Sequence, residues 1–457
     1  MGFPKLKFIN HASYIIESDD CILLHDPWME GGAFNDGWSL LAKEFSNKSL
    51  INYLIDSKKR ICIWISHEHG DHFSISFFKE VIKSSLKVDI FFQKTADKRV
   101  YSFLKSQSLK VYECNNSKKF ELGKNFFLYV FAYGGGDSFC LASIEGTNIL
   151  NLNDCVVRNS QQAQKIRNSI FKITKKIDIL FTQFGYANWI GREADKNLRL
   201  DSAKEKLNRI LIQNNILNPT HIIPFASFIY FSKKENFYMN YQQNNPKDLR
   251  YTKELSPIKD KISFMKPNQE ITLDTQFFDK LAKKNHSAEN YWDKKITETL
   301  RIDLKNNSQN TKSINDIDSV AKKYIHKVNN ETLFATKLFE IFKIFNLKPI
   351  KINISDLNYV LELSYLSGVK YYKSHQESHY DISAHSTEVY FLLKNEFGWN
   401  TLHVSGAFVV PTPDIASIAN FFRWQDAIKN GLSFRKPVYT VKSLISYLQK
   451  SSINNNA

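Results

Sequence analysis

Residues 65–74 read ISHEHGDHFS and follow the apolar run ICIWI. His67 and His69 alternate by two, so at the end of a strand they point the same way. Gly70 permits a sharp turn that brings Asp71 and His72 back towards them, and four side chains then converge on one place. Imidazole nitrogens and carboxylate oxygens in that company suit zinc, iron or manganese. A lone histidine in a polar turn would read as structural. Three histidines and an aspartate directly after a buried strand predict a metal site. Glu68 points away from His67 and His69 and is expected to be solvated or to support the ligands from outside.

Short strands must position such a loop. SYIIES and CILLHDPW read as a hairpin closing on SDD, and ICIWISH as a buried strand. SISFFKEVIKSSL follows as an amphipathic helix with Ile75, Phe78 and Ile82 on one face. VDIFFQ, NFFLYVFAY, SFCLASIE, TNILNLND, IDILFTQF and HIIPFASF are further strands, and DSAKEKLNRILIQN is a helix opened by a capping Asp or Ser. Apolar runs repeatedly end in polar, metal-capable residues. This order predicts an α/β fold over residues 1–275, two sheets sandwiched between helices with the site at the strand ends. Residues 276–320 turn charged and polar and read as a helical linker. Residues 321–450 predict a second, smaller α+β domain: NNETLFATKLFEIFKIF as a helix, DLNYVLELSYLSGVKYYKS as a hairpin, HSTEVYFLLKNEFGW as a helix and TLHVSGAFVV as a strand. His375, His379 and His385 lie in HQESHYDISAH, where the glutamate is displaced from the HExxH position, so a polar loop is expected.

A chain of 457 residues with 43% hydrophobic residues favours two cores. The net charge of +16 fits an anionic partner. The lysines are scattered rather than gathered in blocks, which argues against nucleic acid, and the charge also reads as plain richness in lysine. Cys21, Cys62, Cys114, Cys140 and Cys155 are widely spaced and form no CxxC pair, which argues against a disulfide framework, a zinc ribbon or an iron–sulfur cluster. No apolar stretch is long enough for a membrane span, and the N-terminus lacks the apolar region of a signal peptide, so a cytoplasmic protein is expected.

The H-x-H-x-D-H order resembles the signature of the metallo-β-lactamase superfamily. That resemblance implies a four-layer αβ/βα sandwich in which His67 and His69 bind one metal, Asp71 and His72 a second, and a later aspartate bridges them. NHASYIIESDDCILLHDPW resembles the opening hairpin of the branch containing phosphodiesterases and N-acyl-phosphatidylethanolamine phospholipase D. ILNLNDC resembles the strand that delivers the bridging aspartate, here Asp154. DPWMEGGAFNDGWSLL, WISHEHGDHFS, GTNILNLNDC, IIPFASF, NNPKDL and EFGWNTLHVSGAF are similar, in order and spacing, to the CMP-N-acetylneuraminate hydroxylase family over residues 10–435. Those enzymes use an iron-containing lactamase-fold domain to hydroxylate an N-acyl group on a sugar nucleotide, with electrons from an N-terminal Rieske domain. The paired Cys and His of a Rieske centre are missing here. The resemblance therefore implies a separate electron-transfer protein, or chemistry other than oxygenation.

Along the same resemblance, the family's third histidine falls at Tyr133 and its final one at Ala226. Tyr133 either binds ferric iron as a phenolate or packs, and it stands with Asp71 as a catalytic candidate. His67, His69, Asp71, His72 and Asp154 are the implied ligands of one or two ions, iron or alternatively zinc; a single ion is favoured because each half-site has lost a histidine. His11, His25, Asp26 and Asp137 are expected to support the ligands. Trp189 and Arg192 are expected to line the substrate cleft. The second domain resembles a sterol carrier protein-like module, which would bind an apolar group or mediate homodimerisation. Three functions stand open: an oxygenase acting on an anionic metabolite such as a sugar nucleotide; a hydrolase of an ester, amide or phosphodiester using metal-bound hydroxide; and a non-catalytic metal-binding protein.

Overall fold

The strand Arg60–Ile65 is buried from Ile61 onward. It pairs in parallel with Cys21–His25 on one side and Val88–Gln93 on the other. A strand covered on both faces needs no polar alternation, which is why RICIWI reads as one apolar run. In the computed structural model, which describes residues 2–95, 97–302, 310–374 and 379–429, this strand belongs to a seven-stranded sheet. The sheet runs Glu270–Thr272, Lys5–Asn10, Ser13–Glu17, Cys21–His25, Arg60–Ile65, Val88–Gln93, Lys110–Cys114. The facing sheet has six strands, in the order His221–Phe225, Ile179–Gln183, Thr147–Asn151, Ser138–Ile144, Phe126–Ala132, Lys119–Gly123.

Side chains alternate across a strand, and the two faces of the first sheet go to different cores. Leu23, Cys62 and Trp64 face the second sheet and join Val130, Cys140, Leu150 and Phe181. Ile22, Leu24, Ile61, Ile63 and Ile65 face the helices Asn47–Asp56, Ile75–Ser84 and Arg99–Ser106 through Leu50, Phe78 and Leu104. The helices Ser160–Ile170, Lys196–Leu217 and Phe277–Thr299 contribute Ile166, Ile210 and Trp292 to the core of the second sheet. This is the αβ/βα order of layers that the sequence predicts. Ligand sites in such folds gather at the carboxyl ends of parallel strands. Here the loops leaving His25, Ile65, Gln93, Asn151, Gln183 and Phe225 come from such ends.

The stretch expected as a linker is different in part. Phe277–Thr299 is a 23-residue helix. Its polar composition conceals a stripe of Phe277, Leu281, Ala288 and Trp292 at helical spacing, all buried in the core of the sandwich. Trp292 stacks on Phe228 at 3.7 Å and donates its indole N–H to the Met265 carbonyl at 2.8 Å.

Beyond it lie the helix Ile314–Glu331 and a four-stranded sheet in the order Gly368–Lys373, Tyr359–Ser364, Ile350–Ile354, Ile382–Ala384. The hairpin read from the sequence is present. Two readings are corrected. TLHVSGAFVV is not a strand: Gly398–Ser405 is a helix that buries Trp399, Leu402 and Ser405 at helical spacing and ends at Gly406 with φ 66°. NNETLFATKLFEIFKIF is not one helix, because Leu333 and Phe334 take left-handed conformations and break it. His385 caps the helix Ser386–Lys394; His375 lies outside the described residues, as does the end of the predicted 321–450 unit. No described helix is long and apolar enough to cross a membrane.

The C-terminal unit shares a core with loops of the sandwich. Trp28, Trp38, Trp189, Tyr238 and Met239 pack in one cluster with Trp399, Leu402 and Phe408. Buried Asn236 stitches the two parts, donating to the carbonyls of Gly37 at 3.0 Å and Ser405 at 2.6 Å. A Cβ on Gly37 would lie 2.3 Å from that of Ser405. Gly37→Ala is therefore expected to open this seam and lower stability by about 1–3 kcal/mol, the usual cost of overpacking. Thermal unfolding of the variant checks this; an unchanged midpoint would show that the seam gives way freely.

Candidate metal centre

The histidine-rich loop leaves Ile65 and is anchored before it turns. The Ser66 backbone N–H and hydroxyl each donate to Asp26 at 2.7 Å. Asp26 has φ 37°; its carboxylate also accepts from His72 Nδ1 at 3.0 Å. That bond turns His72 Nε2 towards the centre. The backbone N–H groups of His72 and Phe73 donate to the His69 carbonyl, closing the turn. His67 Nε2 and His69 Nδ1 are 2.9 Å apart, and His67 Nδ1 meets the Ser66 hydroxyl at 2.9 Å.

The facing sheet supplies Asp154. Asn153, at φ 49°, reaches across to the Ser66 hydroxyl, and the next residue presents its carboxylate. Asp154 Oδ2 lies 3.3 Å from His72 Nε2. Asp71 Oδ2 lies 3.1 Å from the same nitrogen and 3.4 Å from His11 Nε2. Two groups result, His67–His72–Asp154 and His11–Asp71–His72, each with donor atoms within 4.8 Å of one another.

The electrostatics are those of a cation site. Burial alone would lower the His72 pKa, but Asp71, Asp154 and Asp26 hold it well above the ordinary value. Burial would raise Asp71; His72 and His11 hold it well below. Burial, with His72 next in size, pushes His67 down to about 4. His11 Nδ1 and Nε2, Asp71 Oδ1 and His72 Nε2 are buried without hydrogen-bond partners. Orphaned polar atoms of this kind are rare in native interiors and call for an ion or water. The nitrogen and oxygen donors fit a transition metal.

Two facing sheets between helices, with an H-x-H-x-D-H loop and an aspartate meeting across their carboxyl ends, decide the architecture. The chain has the metallo-β-lactamase fold. No family model matches it. The cytidine monophosphate-N-acetylneuraminic acid hydroxylase of Xenopus laevis is 26% identical over 168 residues, a match that spans 35% of this chain and only 27% of that protein. Among solved structures, Igni18, a metallo hydrolase from the archaeon Ignicoccus hospitalis, overlays with TM-score 0.41 at 14% identity over 59% of this chain and 98% of its own. CmlA, a diiron β-hydroxylase from Streptomyces venezuelae, overlays with TM-score 0.36 at 15% identity over 50% of this chain and 45% of its own.

Within this metallo-β-lactamase fold the structure gathers His67, His69, Asp71, His72, Asp154, Asp26 and His11. Asp137 lies close enough to be repelled by Asp154; burial first, then that repulsion, pushes its carboxyl up to about 6. Three expectations are revised. His25 turns away from the centre, stacks on Tyr14 at 3.9 Å and is held neutral by burial, so it is a core residue. Trp189 packs on Phe408 in the seam. Arg192 is taken up by Asp195 and by the Pro411 carbonyl at 2.7 Å. Neither lines a cleft at the metal-binding loop.

Tyr133 donates its hydroxyl to the Val156 carbonyl at 2.6 Å. Burial raises its pKa, which favours a neutral phenol whose proton is held by a carbonyl two residues beyond Asp154. Tyr133→Phe is expected to retain the metal and cost about 1 kcal/mol, one hydrogen bond. Metal content and chemical denaturation of the variant check both; loss of metal would restore Tyr133 to the ligands.

Several partners escape a reading by motif. Gln183 donates to Asp154 Oδ1 at 3.2 Å and accepts from Lys206 at 2.5 Å. Burial, with Arg209 next, pushes the Lys206 pKa down to about 7. Arg209 and Arg158 share Glu205 beside it. Lys206 and Arg209 are three apart on the helix Lys196–Leu217, the spacing of one helical face. That spacing is the signal the sequence carries for them, on a helix whose apolar stripe is the more visible pattern.

Proposed function

We propose that the chain is a metal-dependent hydroxylase that acts on an anionic metabolite such as a sugar nucleotide, with iron as its metal. The observation that carries the metal dependence is the convergence of His67, Asp71, His72 and Asp154, with His69 against His67, and with Asp71 Oδ1 and His72 Nε2 buried without hydrogen-bond partners. The likeness to sialic acid hydroxylases supports the choice of reaction and substrate class. His67, His69 and Asp154 would hold the iron, with Asp71 and His72 beside them. Iron bound there would supply activation of dioxygen, with electrons from a separate protein. Asp26 holds the loop and fixes the orientation of His72, and Gln183 holds Asp154. Lys206 lies near Asp154 with Arg158 and Arg209 grouped around it and Glu205, a basic cluster that would suit a negatively charged substrate.

The test is incubation of iron-loaded protein with CMP-N-acetylneuraminate and related sugar nucleotides, a chemical reductant and labelled dioxygen. Incorporation of labelled oxygen into product, seen by mass spectrometry, supports the reading. Cleavage of substrate without labelled oxygen refutes it. That second outcome belongs to a hydrolase, which Asp137 favours: a carboxyl pushed up to about 6 can exchange a proton near neutral pH.

A further inference from the structure

Four non-glycine residues around the site hold left-handed backbones: His11 at φ 36°, Asp26 at 37°, Asn153 at 49° and Ala226 at 51°. Such conformations persist where surrounding structure enforces them, and they cluster at functional sites. Asp26 and Asn153 use the turn to hold Ser66. His11 has no such bond to explain its conformation. Its backbone is fixed from both sides: its N–H donates to Asn10 Oδ1 at 3.0 Å, and its carbonyl accepts from the Ala226 N–H at 2.9 Å. The register between the first two strands shifts at Phe8/Asn10, just before this turn. The imidazole therefore enters the site from the hairpin, where Ala226 at the end of His221–Phe225 offers no donor.

The ring of His11 is backed edge-on by Trp28 at 5.6 Å and lies 5.8 Å from the ring of His72. Its residue is 2% exposed. Neither of its nitrogens has a hydrogen-bond partner, and the same holds for the neighbouring Asp71 Oδ1 and His72 Nε2. A buried polar atom left unpaired is costly. One cation among His11, Asp71 and His72 would take His11 Nε2, an Asp71 oxygen and His72 Nε2 at once, a two-nitrogen, one-oxygen donor set that suits a divalent transition metal.

We propose that His11 is a metal ligand and, with Asp71 and His72, forms a second cation site beside the one held by His67, His69 and Asp154. The inference rests on the metal dependence proposed above and adds to it an ion and a ligand. His72 Nε2, placed between Asp71 and Asp154, lies where the two sites meet. The histidine missing from position 226 is thus replaced in space by one from the opening hairpin, and the site is built for two ions rather than one.

Zinc titration of the metal-free chain, followed by native mass spectrometry, tests this. Wild-type protein should take two ions. His11→Gln should take one, with the other weakened by more than about 100-fold, beyond what losing an outer partner of a ligand costs. The ion it retains shows that the variant is folded. A reading on the wild type needs no variant: with spin-active cadmium and nitrogen-labelled histidine, ring nitrogens of His11, His67, His69 and His72 should all couple to the metal. A His11 ring that shows no coupling, or a His11→Gln variant that still takes two ions, overturns the inference and leaves the metal dependence standing. Wild-type protein that takes no zinc overturns both.

Discussion

Replacing His67 and His69 together with Ala is expected to strip the metal held with Asp154 and abolish turnover. Even an outer partner of a ligand is worth about 10–100-fold in metal affinity, so removing two ligands should cost well over about 100-fold. The fold should survive, because both residues sit in a loop and His69 is only half-buried. Ser66 keeps Asp26 and Asn153 when the His67 ring is gone, so stability should change by no more than about 1–2 kcal/mol. Metal titration and circular dichroism measure the two effects separately. A variant that binds metal like the wild type would remove these histidines from the site. The pH dependence has a definite sign. Asp71, Asp154 and Asp26 overcome burial and hold the His72 pKa above its ordinary value, so a cation must displace a proton there. Metal affinity should rise with pH until His72 in the metal-free protein has lost its proton.

Asp26→Ala should have the largest effect on stability. It removes the acceptor of the Ser66 N–H, the Ser66 hydroxyl and His72 Nδ1 together. All three residues are buried. Each unpaired buried donor costs about 1–3 kcal/mol, and breaking a buried charged pair costs about 3–5 kcal/mol. A loss of about 3–5 kcal/mol is expected, with metal affinity falling as His72 loses its orientation. The backbone at φ 37° adds to the penalty, since aspartate tolerates the left-handed region better than alanine. Urea unfolding of the metal-free protein checks the value. A cost below about 1 kcal/mol would mean that the loop is held elsewhere.

The layers of the sandwich were legible because its strands carry apolar runs and its loops carry their polar residues at strand ends. The metal loop was legible because ligand residues are adjacent in sequence. His11 and Ala226 show what was not: their relation depends on two turns, 215 positions apart, that meet only in the folded chain. Trp189 and Arg192 were misplaced because aromatic and cationic residues suit a packed seam as well as a cleft. Gly398–Ser405 was misread because a short apolar stretch fits a helix or a strand, and only Gly406 at its end marks the helix. The helix Phe277–Thr299 was partly hidden because its buried stripe is thin against lysine and asparagine.

The most direct test of the central claim is elemental analysis of the full chain purified without added metal, by mass spectrometry on protein of known concentration. The expected result is iron, between about one and two ions per chain, with the ion held beside Asp154 lost in the His67→Ala/His69→Ala variant. Zinc alone would contradict the hydroxylase reading, and a wild-type chain free of metal that also refuses it on titration would contradict the metal centre itself.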